Sequence, residues 1–225
     1  KGSVKMNKRR LLCILLILAM VAFLFAGCGK DKSPGTNPGT DPGIDPDILE
    51  GTWRATESTD IWVEKENGVV VDEDFDETLY PYTEEIEDLT VSMQPYIQMK
   101  NKVFKVFQKY SFDGEFPEEY VGDDWPKNFI TMKAQSNYKI SGNKIIVTFF
   151  DEEGEEKSSE ITYDINGNTL TTTSDYTYED TWEDTTYTEE GTIIDKFIKV
   201  SDSEVGNPID IEAYPGLGDF LDEWF

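Results

Sequence analysis

The sequence predicts an all-β protein, an antiparallel up-and-down meander of short strands with one short helical segment at its C-terminus. Three observations carry this. After residue 48, apolar residues recur at period two, as strands with one buried face require. Tyr138-Lys-Ile-Ser-Gly-Asn-Lys-Ile145 and Tyr163-Asp-Ile-Asn-Gly-Asn-Thr-Leu170 share the form Y-x-I-x-G-N-x-[IL], each a strand end, a tight glycine turn and a strand start. No long segment before the C-terminus has helical periodicity.

Taken in order, Gly51-Thr52-Trp53 opens a strand in which Trp53, Ala55, Thr59, Ile61 and Val63 share one parity and hence one face. Asn67-Gly68 follows, the strongest short hairpin signal, and Val69-Val70-Val71 returns. Asp72 to Asp88 reads as an acidic loop around Tyr80-Pro81-Tyr82. Leu89, Val91 and Met93 alternate up to Pro95, which predicts an edge or a bulge because proline has no N–H to give a ladder. Phe104, Val106, Tyr110 and Phe112 form a longer strand, and Asp113 to Trp125 is a second acidic loop. The two glycine turns lie 25 positions apart, joined by Ile145–Phe150, the acidic turn Asp151–Glu156 and Ser158–Ile165. Thr169–Tyr178 and Ile193–Val200 continue the meander. Such a run can close on itself and so remove its edges; a sandwich or an open meander is the alternative. The long loops at 72–88 and 113–127 weigh against closure.

The tail is the helical segment. Leu217, Phe220, Leu221, Trp224 and Phe225 fall at i, i+3, i+4, i+7 and i+8, one apolar stripe. A segment this short holds no helix in isolation, so it docks on the barrel's outer wall or on a partner. Docking in cis is favoured, because a large apolar patch is a liability on a surface.

The N-terminus sets the compartment. Lys5, Lys8, Arg9 and Arg10 precede an unbroken apolar run from Leu11 to Phe25, then Ala26-Gly27-Cys28. A charged start, a short apolar core and small residues before the cut make a secretory signal over residues 1–27, shorter than the roughly 20 apolar residues of a membrane span. Phe25-Ala26-Gly27-Cys28 resembles the lipobox of bacterial lipoproteins. That resemblance implies cleavage before Cys28 and a covalent lipid on its thiol, with Phe25 in place of the usual leucine. Two or more acyl chains hold a protein on a membrane stably. Residues 28–47, with Pro-Gly at 34–35, 38–39 and 42–43, are a tether, since prolines and glycines at this density bury no apolar surface.

Losing residues 1–27 removes five positive charges and moves the net charge from −26 to −31. That field repels nucleic acid and anionic headgroups, so neither is expected as a partner. Cys13 lies in the signal and Cys28 carries the lipid, so packing without disulfides holds the fold. The chain has no histidine, which removes Ser-His-Asp and Cys-His catalysis and the commonest zinc ligand. No enzyme, no cofactor beyond the lipid and no metal are expected.

Gly51-Thr52-Trp53 resembles the G-x-W signature of lipocalins. The Y-x-I-x-G-N-x-[IL] turns resemble those of bacterial lipocalin-like lipoproteins, which carry the same order of lipobox, spacer and β domain. The likeness spans about Ile48 to Val200. It implies a lipocalin-like β-barrel over 48–200, with Trp53 as core packing at its closed end, and a tail over 201–225 that docks on it. It implies a lipid-anchored protein of the bacterial cell envelope, facing away from the cytoplasm. The function it implies is a non-catalytic binding module for a small apolar or amphipathic ligand, or for a protein partner. The alternative is a structural or adhesin-type lipoprotein whose barrel is filled by its own side chains. A carboxylate-based glycan hydrolase is the third reading, without a signature to support it.

Three stretches offer sites besides Cys28. Asp72, Asp74 and Asp76 open a D-x-D-x-D calcium pattern, but Glu77 stands where glycine is needed and Thr83 where a bidentate glutamate is needed, which favours a solvated acidic loop. Asp151–Glu156 reads as a wet hairpin tip. Tyr176, Tyr178, Trp182 and Tyr187 interleave with acids and threonines, a sugar-binding composition that is also ordinary for a half-exposed strand.

Overall fold

A computed structural model describes residues 48–116, 125–150, 155–182 and 185–224. Ten antiparallel strands follow in sequence: β1 (Gly51–Glu66), β2 (Val69–Leu79), β3 (Tyr82–Ile86), β4 (Leu89–Lys100), β5 (Val103–Gly114), β6 (Asn128–Ser141), β7 (Lys144–Phe150), β8 (Glu156–Asn166), β9 (Thr169–Trp182) and β10 (Thr185–Val200). Their order in the sheet is β2-β1-β10-β9-β8-β7-β6-β5-β4-β3. The first residues of β1 also pair with β4, from Gly51 opposite Met99 to Arg54 opposite Tyr96. That seam closes β1 and β4–β10 into an eight-stranded barrel of lipocalin-like architecture. Beyond the seam β1 pairs with β2 and β4 pairs with β3, so the wall forks into two wings.

The fork overturns the expected loop at 72–88, which is β2 and β3. Asn67 (φ 48°) and Gly68 (φ 80°) both take the left-handed backbone that a two-residue hairpin turn needs. The ladder then zips down the acidic stretch, and its hydrogen bonds override the low strand preference of Asp and Glu. Pro95 interrupts nothing, because it lies between the last residue paired with β3, Met93, and the first paired with β1, Tyr96. Of the second predicted loop, residues 117–124 lie outside the described residues.

The expected parity of β1 holds only as far as Ala55. Ala55 faces Phe197 while Glu57 faces Lys196, so Thr56 is an extra residue, a β-bulge. Thr56 accepts from the Tyr80 N–H at 3.0 Å through its carbonyl and donates from its hydroxyl to the Lys196 carbonyl at 3.1 Å. One inserted residue flips every side chain beyond it. Ile61 turns outward and is 46 % exposed, whereas Ser58 and Asp60 turn inward and are 2 % and 3 % exposed.

Inside the barrel are two apolar clusters. At the closed end Leu49, Trp53, Met99, Ile145, Leu170 and Phe197 pack together. Trp53 is fully buried and donates its indole N–H to the Leu49 carbonyl at 2.9 Å, with Lys199 Nζ 5.1 Å from its ring centroid. Gly51 (φ 132°) lets the Lys199 stem pass, since a Cβ there would meet it at 2.9 Å.

The second cluster joins Leu89, Val91 and Met93 of β4, Tyr110 and Phe112 of β5 and Phe129 of β6 to the tail helix α1 (Leu217–Trp224) through Leu217, Phe220 and Leu221. The β4–β5 ladder is unbroken from Leu89 to Lys100, so Leu89, Val91 and Met93 share the inward face of Ile97 and Met99. The helix therefore seats on the inner face, where the wall has opened, instead of the outer wall. The outer wall is taken by the chain leading to it: Val205 covers Tyr96, Phe107 and Ile130. Just before it, the turn at Asp202–Glu204 straps the seam. Asp202 accepts from Thr52 Oγ1 at 2.7 Å and Lys100 Nζ at 3.1 Å, and Arg54 meets Glu204 at 3.1 Å. Trp125 caps the tail by donating to the Pro215 carbonyl at 3.2 Å.

Candidate functional site

Between the two apolar clusters the barrel wall turns polar. Ser58 and Asp60 on β1, Thr172 on β9 and Asp195 on β10 are buried on the inward face, as are Gln108 of β5 and Thr131 of β6. Cross-strand pairing builds the group: Ser58 stands opposite Asp195, Asp195 opposite Thr172, and Asp60 is the diagonal neighbour of Asp195.

Asp60 and Asp195 carry the electrostatics. Burial pushes Asp195 up to about 6, with Asp60 adding repulsion and the nearby Ser58 hydroxyl working the other way. Burial also pushes Asp60 up to about 6; Tyr176 lowers it, while Glu189 and Asp76 raise it further. Thr131 Oγ1 is buried without a hydrogen-bond partner among the described residues. Leaving such a group unpaired costs free energy.

Tyr176 roofs the carboxylates. Its hydroxyl donates to Glu189 Oε1 at 2.8 Å and lies 3.3 and 3.4 Å from the two Asp60 oxygens. Burial, then these carboxylates, raise its pKa far above the usual value. The ring lies flat on β10 because its cross-strand partner is Gly191, where a Cβ would stand 2.5 Å from the ring.

Above this layer the wing continues the inward face. Asp72, Asp74 and Asp76 of β2 stand opposite Glu64, Trp62 and Asp60 of β1. The three aspartates therefore share one face of a straight strand, about 6.6 Å apart in sequence order, and do not wrap around one ion as a calcium loop does. Glu77 stands on the other face and Thr83 lies on β3. Tyr178 and Tyr187 are exposed at the rim. The Trp182 side chain, Cys28, residues 1–47 and most of the Asp151–Glu156 turn lie outside the described residues.

Sequence reasoning missed Ser58, Asp60, Thr172, Glu189 and Asp195. Asp195 was open to it, as an acid at inward parity between Ile193 and Phe197. Asp60 was not, since only the bulge turns it inward. No protein-family model, curated protein or solved structure matches the chain.

Proposed function

We propose that this chain is a lipid-anchored protein of the bacterial envelope whose lipocalin-like barrel binds a small amphipathic ligand without catalysis. The anchor rests on Leu11–Cys28. The binding role rests on one observation, the buried layer of Ser58, Asp60, Thr172 and Asp195 set between apolar clusters. A fold selected for rigidity alone would fill these positions with apolar side chains, since replacing buried charged groups so is often neutral or stabilising. A ligand with a polar head and an apolar body matches the polar layer and the clusters beside it.

A second reading, a structural protein with a filled barrel, is favoured by Leu217, Phe220 and Leu221, which occupy part of the open end. Native mass spectrometry of protein released from its own membrane separates the two. A retained small molecule, over and above the lipid on Cys28, is the expected result. A mass equal to polypeptide plus lipid alone favours the filled barrel.

A further inference from the structure

β2 is a long edge strand without cover. It ends the sheet order and pairs only with β1 among the described residues, so its far side presents backbone N–H and C=O groups to solvent. From Asp72 to Leu79 its register against β1 is unbroken, which makes a regular template for a further strand. All its residues are exposed except Asp76 and Thr78, which are partly buried. The opposite edge of the sheet is protected in the usual way: β3 has five residues, and its Tyr82 packs against the cluster that holds α1. The β1–β2 hairpin also leaves large apolar side chains in water. Val69, Val70, Val71, Phe75 and Leu79 are 53–66 % exposed, and Ile61 stands beside Phe75 on the outer face. Apolar surface grouped in this way marks an interaction site.

Charge selects the occupant. β2 holds Asp72, Glu73, Asp74, Asp76 and Glu77 and no lysine or arginine. Two of these acids stand directly opposite acids of β1, Asp76 facing Asp60 and Asp72 facing Glu64, and like charges across a ladder destabilise it. Basic side chains on an added strand would relieve that repulsion. A second copy pairing through its own β2 would set acids against acids, in a chain whose net charge is already −26. The alternation of β2 then sets the pattern of the partner. Bases belong on the face of Asp72, Asp74 and Asp76, and apolar residues on the face of Phe75 and Leu79.

We propose that the free edge of β2, from Asp72 to Leu79, docks an extended basic segment of a protein partner, which adds to the sheet as a further strand. Backbone hydrogen bonds along the edge supply affinity, and the alternating side chains supply selectivity. This surface lies on the wing, outside the barrel, and goes beyond the small-ligand role without depending on it.

The test uses the full mature protein in phosphatidylcholine nanodiscs, at about 0.15 M salt so that distant charges are screened. Three labelled ten-residue peptides serve as probes: alternating Lys-Val, alternating Lys-Gly of equal charge, and alternating Glu-Val. By fluorescence anisotropy the Lys-Val peptide should bind about tenfold more tightly than the Lys-Gly peptide, and the Glu-Val peptide should not bind. By hydrogen-exchange mass spectrometry the bound Lys-Val peptide should slow amide exchange within Asp72–Leu79. Phe75→Ser, and the pair Asp74→Asn with Asp76→Asn, should each weaken binding about tenfold without lowering the melting temperature. Equal affinity for the two basic peptides, or binding that leaves β2 exchange unchanged, would mean charge attraction alone and would overturn the proposal. Undiminished binding in both variants would overturn it too. So would β2 amides already slow without peptide together with a dimer in native mass spectra, which would give the edge to a second copy. The exchange measured on the wild-type protein decides even where a variant fails to fold.

Discussion

At the scale of single residues, the interior carboxylates and one glycine set measurable limits. Asp60 and Asp195 move from 3.8 to about 6 in the folded protein, so between those values the folded state holds more protons than the unfolded chain. Their cost is therefore present at neutral pH and relieved as pH falls through 6. Asp76, Glu189, Tyr176 and Ser58 face the pair and set its size. At about 1.4 kcal/mol per pKa unit, and discounted for water reaching Asp60, the pair destabilises the fold by about 2–4 kcal/mol at pH 7.5. The melting temperature should be higher at pH 5 than at pH 7.5, by roughly 5 °C or more. The double variant Asp60→Asn, Asp195→Asn should gain most of that at pH 7.5 and lose most of the difference; a melting temperature that falls on acidification would contradict the raised values. Gly191→Ala is the steric test. Its Cβ would stand 2.5 Å from the Tyr176 ring, so the ring must leave β10, at a cost of about 1–3 kcal/mol in urea denaturation.

At the scale of elements, the tail and the seam depend on each other. The closing ladder has only four residue pairs, Gly51–Arg54 with Tyr96–Met99, and the turn at Asp202–Glu204 straps its outer side. The chain then runs along β6, where Ile209 donates to the Ile130 carbonyl at 2.8 Å, before α1 turns onto the inner face. Phe220 is fully buried and meets Phe112, Phe116 and Trp125 edge-on or tilted, with centroids 5.7–6.0 Å apart. Phe220→Ala should cost about 3–5 kcal/mol. Truncation after Asn207 removes Leu217, Phe220 and Leu221, each worth about 1.5–3 kcal/mol on burial before the offset for ordering the segment. The melting temperature should fall by several degrees, at roughly 2–4 °C per kcal/mol for a domain of this size. An unchanged midpoint would mean that α1 serves a partner and not the barrel.

At the scale of the whole molecule, the proposed lipoprotein would divide the work between its anchor and its acidic domain. On that proposal, cleavage before Cys28 takes the net charge from −26 to −31, which would keep the domain away from anionic surfaces and leave attachment to the lipid. Cys28→Ser should block acylation and leave the chain uncleaved, or release it to the soluble fraction where another peptidase acts. Fractionation and the mass of the N-terminal peptide check this; normal processing and unchanged membrane extraction would overturn the lipoprotein reading.

Much of the fold was legible in local chemistry. The Asn67-Gly68 turn, the two Y-x-I-x-G-N-x-[IL] turns, the burial of Trp53 and the apolar stripe of α1 follow from backbone preference and periodicity within a few residues. The closing seam, the wings and the seat of α1 were decided by pairing between segments far apart in the chain. The site depended on this most. Thr56 is an extra residue only against Lys196, 140 positions away, and that single mismatch sends Ile61 out to water and Asp60 in beside Asp195. A period-two pattern fixes which residues share a face; which face is the inside is set by the partner strand's register, and that is a property of the closed barrel.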